Sequence, residues 1–170
     1  MGSPKARLLS AGVEPHLLSL QEKVKLLEKS KLGTKLNWQE LQTLAGYLSA
    51  WKANSGTHLC HQGDKSDFAC MIFQGRVSIV KEDLHKTIKE IASVGPGQTI
   101  GEMALIDREP RSASVIVQHP LLLLVLDEET FNLMEEEVPR LWGKIVLQMA
   151  KILSKRLRQT SGVLAEYISG

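Results

Sequence analysis

The sequence predicts an α+β domain in which helices flank an antiparallel β-roll. Three observations predict it. Apolar residues recur at helical spacing before residue 57 and again after residue 126. Between those points, short segments rich in Val, Ile and Leu alternate with turn residues. The length, 170 residues, suits one cored domain and is too short for two. With 43% hydrophobic and 24% charged residues, the chain has globular rather than disordered proportions.

Residues 1–13 carry few periodic apolar positions and are expected to be flexible, with Gly2-Ser3 resembling an expression scar. Helical spacing starts after Pro15, with Leu17, Leu20, Val24 and Leu27 on one face and Gly33 as a stop. A second helix follows Asn37, which forms a capping box with Glu40, and carries Leu41, Leu44, Ala45 and Leu48. Asn54-Ser55-Gly56 turns the chain into the β region. There the expected strands are Phe68–Phe73, Arg76–Lys81, Lys86–Val94, Ser112–Gln118 and Leu121–Val125, separated by turns that include Gln74-Gly75 and His119-Pro120. Asp127 starts a further helix, and Pro139 opens a longer amphipathic one reaching at least Arg158. Lys151, Lys155, Arg156 and Arg158 suit its C-terminal end.

Several function classes fall away on composition. Lys+Arg is 21 and Asp+Glu is 19, so the net charge of +2 advertises neither a nucleic-acid surface nor a polybasic membrane patch. Two cysteines make no disulfide framework, so a cytoplasmic location is expected. No apolar core of signal-peptide length follows Met1, and position 6 is Ala where a myristoylation motif wants Ser or Thr. The apolar run Leu121–Leu126 is far shorter than a membrane helix and reads as a buried strand. His58 and His61 are three apart, which on a regular strand places them on opposite faces, so no metal site is expected there or at Cys60 and Cys70. No serine lies in a Gly-x-Ser-x-Gly elbow, and no catalytic residue is assigned.

The informative stretch runs from Ile100 to Val115. Gly95, Gly97 and Gly101 mark sharp backbone or close approach. A turn of helix from Glu102 to Ile106 would leave free N–H groups behind Gly101. Pro110 fixes the approach to Arg111, whose planar fork of donors fits two phosphate oxygens, and Ser112 adds a hydroxyl. Glu102 beside an anion makes sense if it accepts a hydrogen bond from a hydroxyl of the same ligand, as a nucleotide offers. The alternative is an ordinary Glu102–Arg111 ion pair with no ligand.

Gly101-Glu102-Met103-Ala104-Leu105-Ile106 followed by Pro110-Arg111-Ser112-Ala113-Ser114 resembles the phosphate-binding cassette of cyclic nucleotide-binding domains. Gly63-Asp64-Lys65-Ser66-Asp67-Phe68 and Gly75-Arg76-Val77 resemble that family's two hairpin turns, although Ser66 and Ala69-Cys70 replace a glycine and an aromatic pair common in relatives. The resemblance covers roughly residues 40 to 158. It implies a jelly-roll-like β-roll with N-terminal helices, a short cassette helix and C-terminal helices. The corresponding division is 1–13 flexible and 14–170 one domain, with helices over 14–56, the roll over 57–126 (cassette 100–114) and helices over 127–170. The implied ligand is cAMP or cGMP. Serine at 112 leaves the two open, and we read cAMP as preferred. Gly101, Glu102, Met103, Ala104, Arg111, Ser112 and Ala113 are the implied contacts, with Glu102 on the ribose 2′-hydroxyl and Arg111 on the cyclic phosphate. Arg156, Thr160 and Ser161 are candidates to cap the base.

The implied role is a non-enzymatic sensor whose last helices close about a hinge near Asp127–Phe131, with no cofactor beyond the nucleotide. Rival readings are the sensor half of a catabolite-activator-type transcription factor, with no room for a DNA-reading motif after residue 160, and a non-binding dimerisation module. The apolar face of residues 138–157 allows a homodimer through the C-terminal helix. The segment itself is expected neither to bind nucleic acid nor to insert into a membrane.

Overall fold

A computed structural model describes residues 4–65 and 67–168; Gly2-Ser3 and Ser66 lie outside the described residues. The elements are α1 (Pro4–Ser10), β1 (Glu14–His16), α2 (Leu20–Glu28), α3 (Trp38–Tyr47), β2 (Ser49–Ala53), β3 (His58–Cys60), β4 (Phe68–Glu82), β5 (Ile88–Val94), β6 (Thr99–Ile100), α4 (Glu102–Asp107), β7 (Ser114–Asp127), α5 (Glu128–Glu137) and α6 (Pro139–Ile168). The strands form one antiparallel sheet in the order β1-β2-β7-β4-β5, with β3 added to β7 and β6 to β4. This is the α+β roll that the patterning predicts.

The long pair β4 and β7 carries the architecture. On β7, Leu121, Leu123 and Val125 point into the roll, where they meet Trp51, Phe68, Ile72 and Val117. Leu124 and Leu126 point to the other face, against Leu27, Leu44, Met134 and Ile145 of the helices. A strand with a core on both sides shows no polar alternation, which explains the unbroken leucine run.

Several expectations need correction. Residues 4–13 are not loose: α1 buries Leu8, and Val13 is buried behind it. Pro15 lies in β1 rather than opening a helix. The helix starts later, capped by Ser19 in a box with Glu22, and ends at Glu28, before Gly33. The 14–56 region, expected to be helical, also contains β2, whose Ala50, Trp51 and Ala53 are buried where the strand pairs with β7.

The expected turns at Gln74-Gly75 and His119-Pro120 are bends within continuous strands. Pairing shifts at Ile72/Gln74 and Gln74/Arg76, and Gly75 has φ 85°. A Cβ on Gly75 would lie 2.2 Å from the Pro120 carbonyl oxygen, so the two irregular spots face each other as a bulge. Finally, α6 runs to Ile168. The Lys151–Arg158 cluster therefore sits in mid-helix, not at a C-terminus.

The expected capping box of α3 is formed: Glu40 N–H donates to Asn37 Oδ1 at 2.9 Å and Asn37 N–H donates to Glu40 Oε2 at 3.0 Å. Glu40 also pairs with Lys144 of α6, so this cap ties the two helices. Asn37→Ala is expected to cost about 1 kcal/mol in urea denaturation, with the slope of the transition unchanged.

Candidate functional site

The site is built from one tight loop and partners brought to it from β4, α6 and the β3–β4 turn. Gly101, with φ 78° and ψ 7°, precedes the short α4 and redirects the chain from β6. A Cβ there would lie 2.3 Å from Arg111 Nη1 and 2.8 Å from the Phe68 carbonyl oxygen. Glycine is thus required both by conformation and by space. After α4 the loop returns through Arg108, also left-handed at φ 58°. Its far end is pinned to the β3–β4 turn: Arg111 N–H donates to the Asp64 carbonyl at 2.9 Å, and Gly63 N–H donates to the Arg111 carbonyl at 2.8 Å.

The Arg111 side chain is held by Phe68. Its Nη2 donates to the Phe68 carbonyl at 2.7 Å, and its guanidinium lies 4.5 Å from the centroid of the Phe68 ring. The buried Nε has no hydrogen-bond partner. Glu102 is 1% exposed. Its Oε1 pairs with Arg156 of α6, and Arg156 Nη2 also donates to the Thr99 carbonyl. Oε2 of Glu102 is buried with no partner. Burial pushes the Glu102 carboxyl above its ordinary range, opposed chiefly by the Arg156 charge, then by a backbone N–H and Arg111. The ligand-free alternative of a Glu102–Arg111 pair is therefore not what forms.

These groups border one cavity of about 470 Å³, a size suited to a small organic ligand. Gly101, Glu102, Met103, Ala104, Arg111, Ser112 and Ala113 all line it, as does Arg156. Ile79 of β4 with Ala92 and Val94 of β5 add an apolar wall to the lining. That wall, together with the roles of Phe68 and Thr99, was not anticipated from sequence; the inward positions of β4 and β5 were the available signal. Thr160 and Ser161 are exposed on α6 and do not line the cavity. Of the three cap candidates only Arg156 reaches it, and it is engaged with Glu102.

The matching residues of the chain, 51–137, are those covered by the family model described as cyclic nucleotide-binding domain. The chain belongs to that family. A cyclic nucleotide-binding domain from Methylobacillus flagellatus superposes with a TM-score of 0.78 at 29% identity, covering 87% of this chain and 83% of that one. The cAMP-dependent protein kinase regulatory subunit of Yarrowia lipolytica is 30% identical over 126 residues, 72% of this chain and 32% of that protein. The Pycsar effector protein XpPycTIR of Xanthomonas perforans is 32% identical over 122 residues, 71% of this chain and 39% of that protein. The chain thus spans about a third of the length of these two relatives. Within this cyclic nucleotide-binding domain, Ala69 and Cys70 occupy fully buried core positions of β4, so the departure from the common aromatic pair falls in packing.

One further expectation is corrected. His58 and His61 do not face apart: their rings stack at 4.7 Å, since His61 lies beyond the end of β3, whose pairing is already irregular between His58 and Cys60. Among the described residues no group of three His, Cys, Asp or Glu side chains could hold a metal ion. Nor is any helix among them long and apolar enough to cross a membrane.

Proposed function

We propose that this domain is a non-catalytic sensor of a cyclic nucleotide, cAMP in preference to cGMP, that repositions its C-terminal helices on binding. The carrying observation is the unpartnered Glu102 Oε2 sharing one cavity with Arg111. A ribose 2′-hydroxyl donates to that oxygen, and the cyclic phosphate takes the guanidinium, as a charge-assisted pair. Ser112 and backbone N–H groups around Gly101 and Ala104 complete the anion cradle. The apolar wall of Ile79, Ala92 and Val94 takes the base. Relatives named for cAMP, including the Yarrowia lipolytica subunit, support the preference. So does the Toxoplasma gondii regulatory domain solved with cAMP, 26% identical at a TM-score of 0.60 over 66% of this chain and 43% of that one.

Arg156 is the link to output. It bonds Glu102 from α6, so a ligand that alters Glu102 biases where α6 sits. The bend would be absorbed around Asp127–Phe131. Asp127 caps α5 by accepting from Thr130 N–H at 2.8 Å, and Phe131 packs against Trp142 at 5.6 Å. Ligand can shift this equilibrium only by its differential affinity for the two arrangements. We place the domain in the cytoplasm, where its two free, buried cysteines suit a reducing environment. Neither nucleic acid nor membrane is assigned to it as a partner.

Calorimetric titration with cAMP, cGMP and cyclic dinucleotides tests the reading. Saturable cAMP binding, tighter than cGMP, is expected, and no binding of any of them below millimolar concentration would sink it. A second reading, homodimerisation through α6, is favoured by the exposed Leu157, Leu164, Tyr167 and Ile168 on that helix. Light scattering with and without nucleotide separates the two: a dimer indifferent to cAMP marks a module that does not sense.

A further inference from the structure

The N-terminal helix reaches the anion site through two residues. Arg7 of α1 forms an ion pair with Asp67, whose side chain is 8% exposed. Leu8, next along α1, is buried in the core cluster that contains Phe68. Phe68 in turn supplies both contacts that hold Arg111, the carbonyl and the ring. The carbonyl of Asp67 accepts the N–H of Glu128, the first residue of α5, at 2.8 Å. Asp67-Phe68 is therefore where the N-terminal helix, the anion-facing arginine and the start of the C-terminal helices meet.

We infer that α1 positions Arg111 for its anion through Asp67 and Phe68, with Arg7 and Asp67 as positioning residues that never touch the ligand. The inference rests on the cyclic nucleotide reading of the site. A guanidinium is planar, so the bond to the Phe68 carbonyl sets which N–H groups remain for the phosphate and in what plane. The Phe68 carbonyl has little room to move, since it faces Gly101 at a distance no Cβ would allow. Asp67 is a buried carboxylate and needs its cation: without Arg7 it would be an uncompensated charge and would drag the start of β4 towards water. That motion would rotate the Phe68 carbonyl away from Arg111. At seven residues α1 is too short to hold helical form alone, so its order depends on this docking. Whatever undocks α1, such as a partner or a preceding segment, would slacken the anion site.

The test uses the full chain. Arg7→Gln and Asp67→Asn are titrated with cAMP and with its uncharged phosphate triester, which removes the charge that Arg111 reads. Each variant is expected to lose about tenfold in cAMP affinity while triester affinity stays unchanged. Exchanging the pair, Arg7→Asp with Asp67→Arg, is expected to restore much of the loss. An unaltered cAMP affinity in Arg7→Gln, or equal weakening of both ligands, overturns the inference. A ligand-free measurement keeps it separate from the functional reading. The melting-temperature losses of Arg7→Gln and Arg111→Gln are expected to be non-additive in the double variant. Additive losses overturn it even if no cyclic nucleotide binds, an outcome that would by itself defeat only the proposed function.

Discussion

Arg111→Glu is expected to weaken cyclic nucleotide binding by at least about a hundredfold, to below detection in most calorimetric titrations. Two effects add. The substitution removes the donor fork facing the anion, where each charge-assisted hydrogen bond is worth about 1.5–3 kcal/mol. It also places a carboxylate in a cavity already lined by Glu102, Asp107 and Glu109, so an incoming phosphate meets repulsion. Arg111→Lys separates the two effects. It keeps the charge and loses the planar fork and the stacking on Phe68, so an intermediate loss is expected. Full binding by Arg111→Glu would mean that the anion sits elsewhere. The fold should survive, because Arg111's only side-chain hydrogen bond among the described residues is to the Phe68 carbonyl; circular dichroism and the melting temperature check this.

The parts of this site that were legible in the sequence are local. Gly101, Glu102 and Arg111 fall within a dozen residues, and their chemistry follows from residue type: a left-handed glycine, a carboxylate behind it and an arginine after a proline. The Asn37–Glu40 cap was legible for the same reason. What was not legible depends on distant partners. Arg156 meets Glu102 across 54 positions, and no spacing rule connects them. Residues 4–10 look loose because their order comes from Leu8 and Arg7 docking on the roll, not from any periodic stripe of their own. At Gly75 and Pro120 the local signal was right about backbone conformation and wrong about consequence. Two turn-forming spots facing each other across a ladder give a bulge, and only the pairing reveals it.

Arg156→Met is expected to move the pH dependence of ribose recognition to higher pH. The Glu102 carboxyl titrates above its ordinary value of 4.5 because burial disfavours its charge; Arg156 is the largest opposing influence, with a backbone N–H and Arg111 behind it. Cys70 of β4 also faces this group, but burial pushes its thiol up to about 12, so it stays neutral throughout. The folded chain therefore holds a proton at pH values where the unfolded chain has released it. Stability falls as pH rises from 4.5 to the raised folded value, and is level above that. Removing Arg156 takes away the main support for the charged form, moves the folded value higher and extends this fall to higher pH. Methionine keeps apolar length against the cavity while removing the charge. Binding follows the same titration, since the ionised carboxylate is the stronger acceptor for the 2′-hydroxyl. In wild type the preference for cAMP over its 2′-deoxy analogue is expected to be about tenfold above the raised Glu102 value and to shrink as pH falls through it. In Arg156→Met the same loss of preference should set in at a higher pH than in wild type. A preference that follows one pH profile in both proteins would show that Arg156 does not hold Glu102 ionised. Loss of the bonds from Arg156 to Glu102 and the Thr99 carbonyl also frees α6, so amide exchange beyond Met149 should quicken in the variant without ligand. A helix that exchanged no faster would remove Arg156 as the connection between the nucleotide pocket and the C-terminal helix.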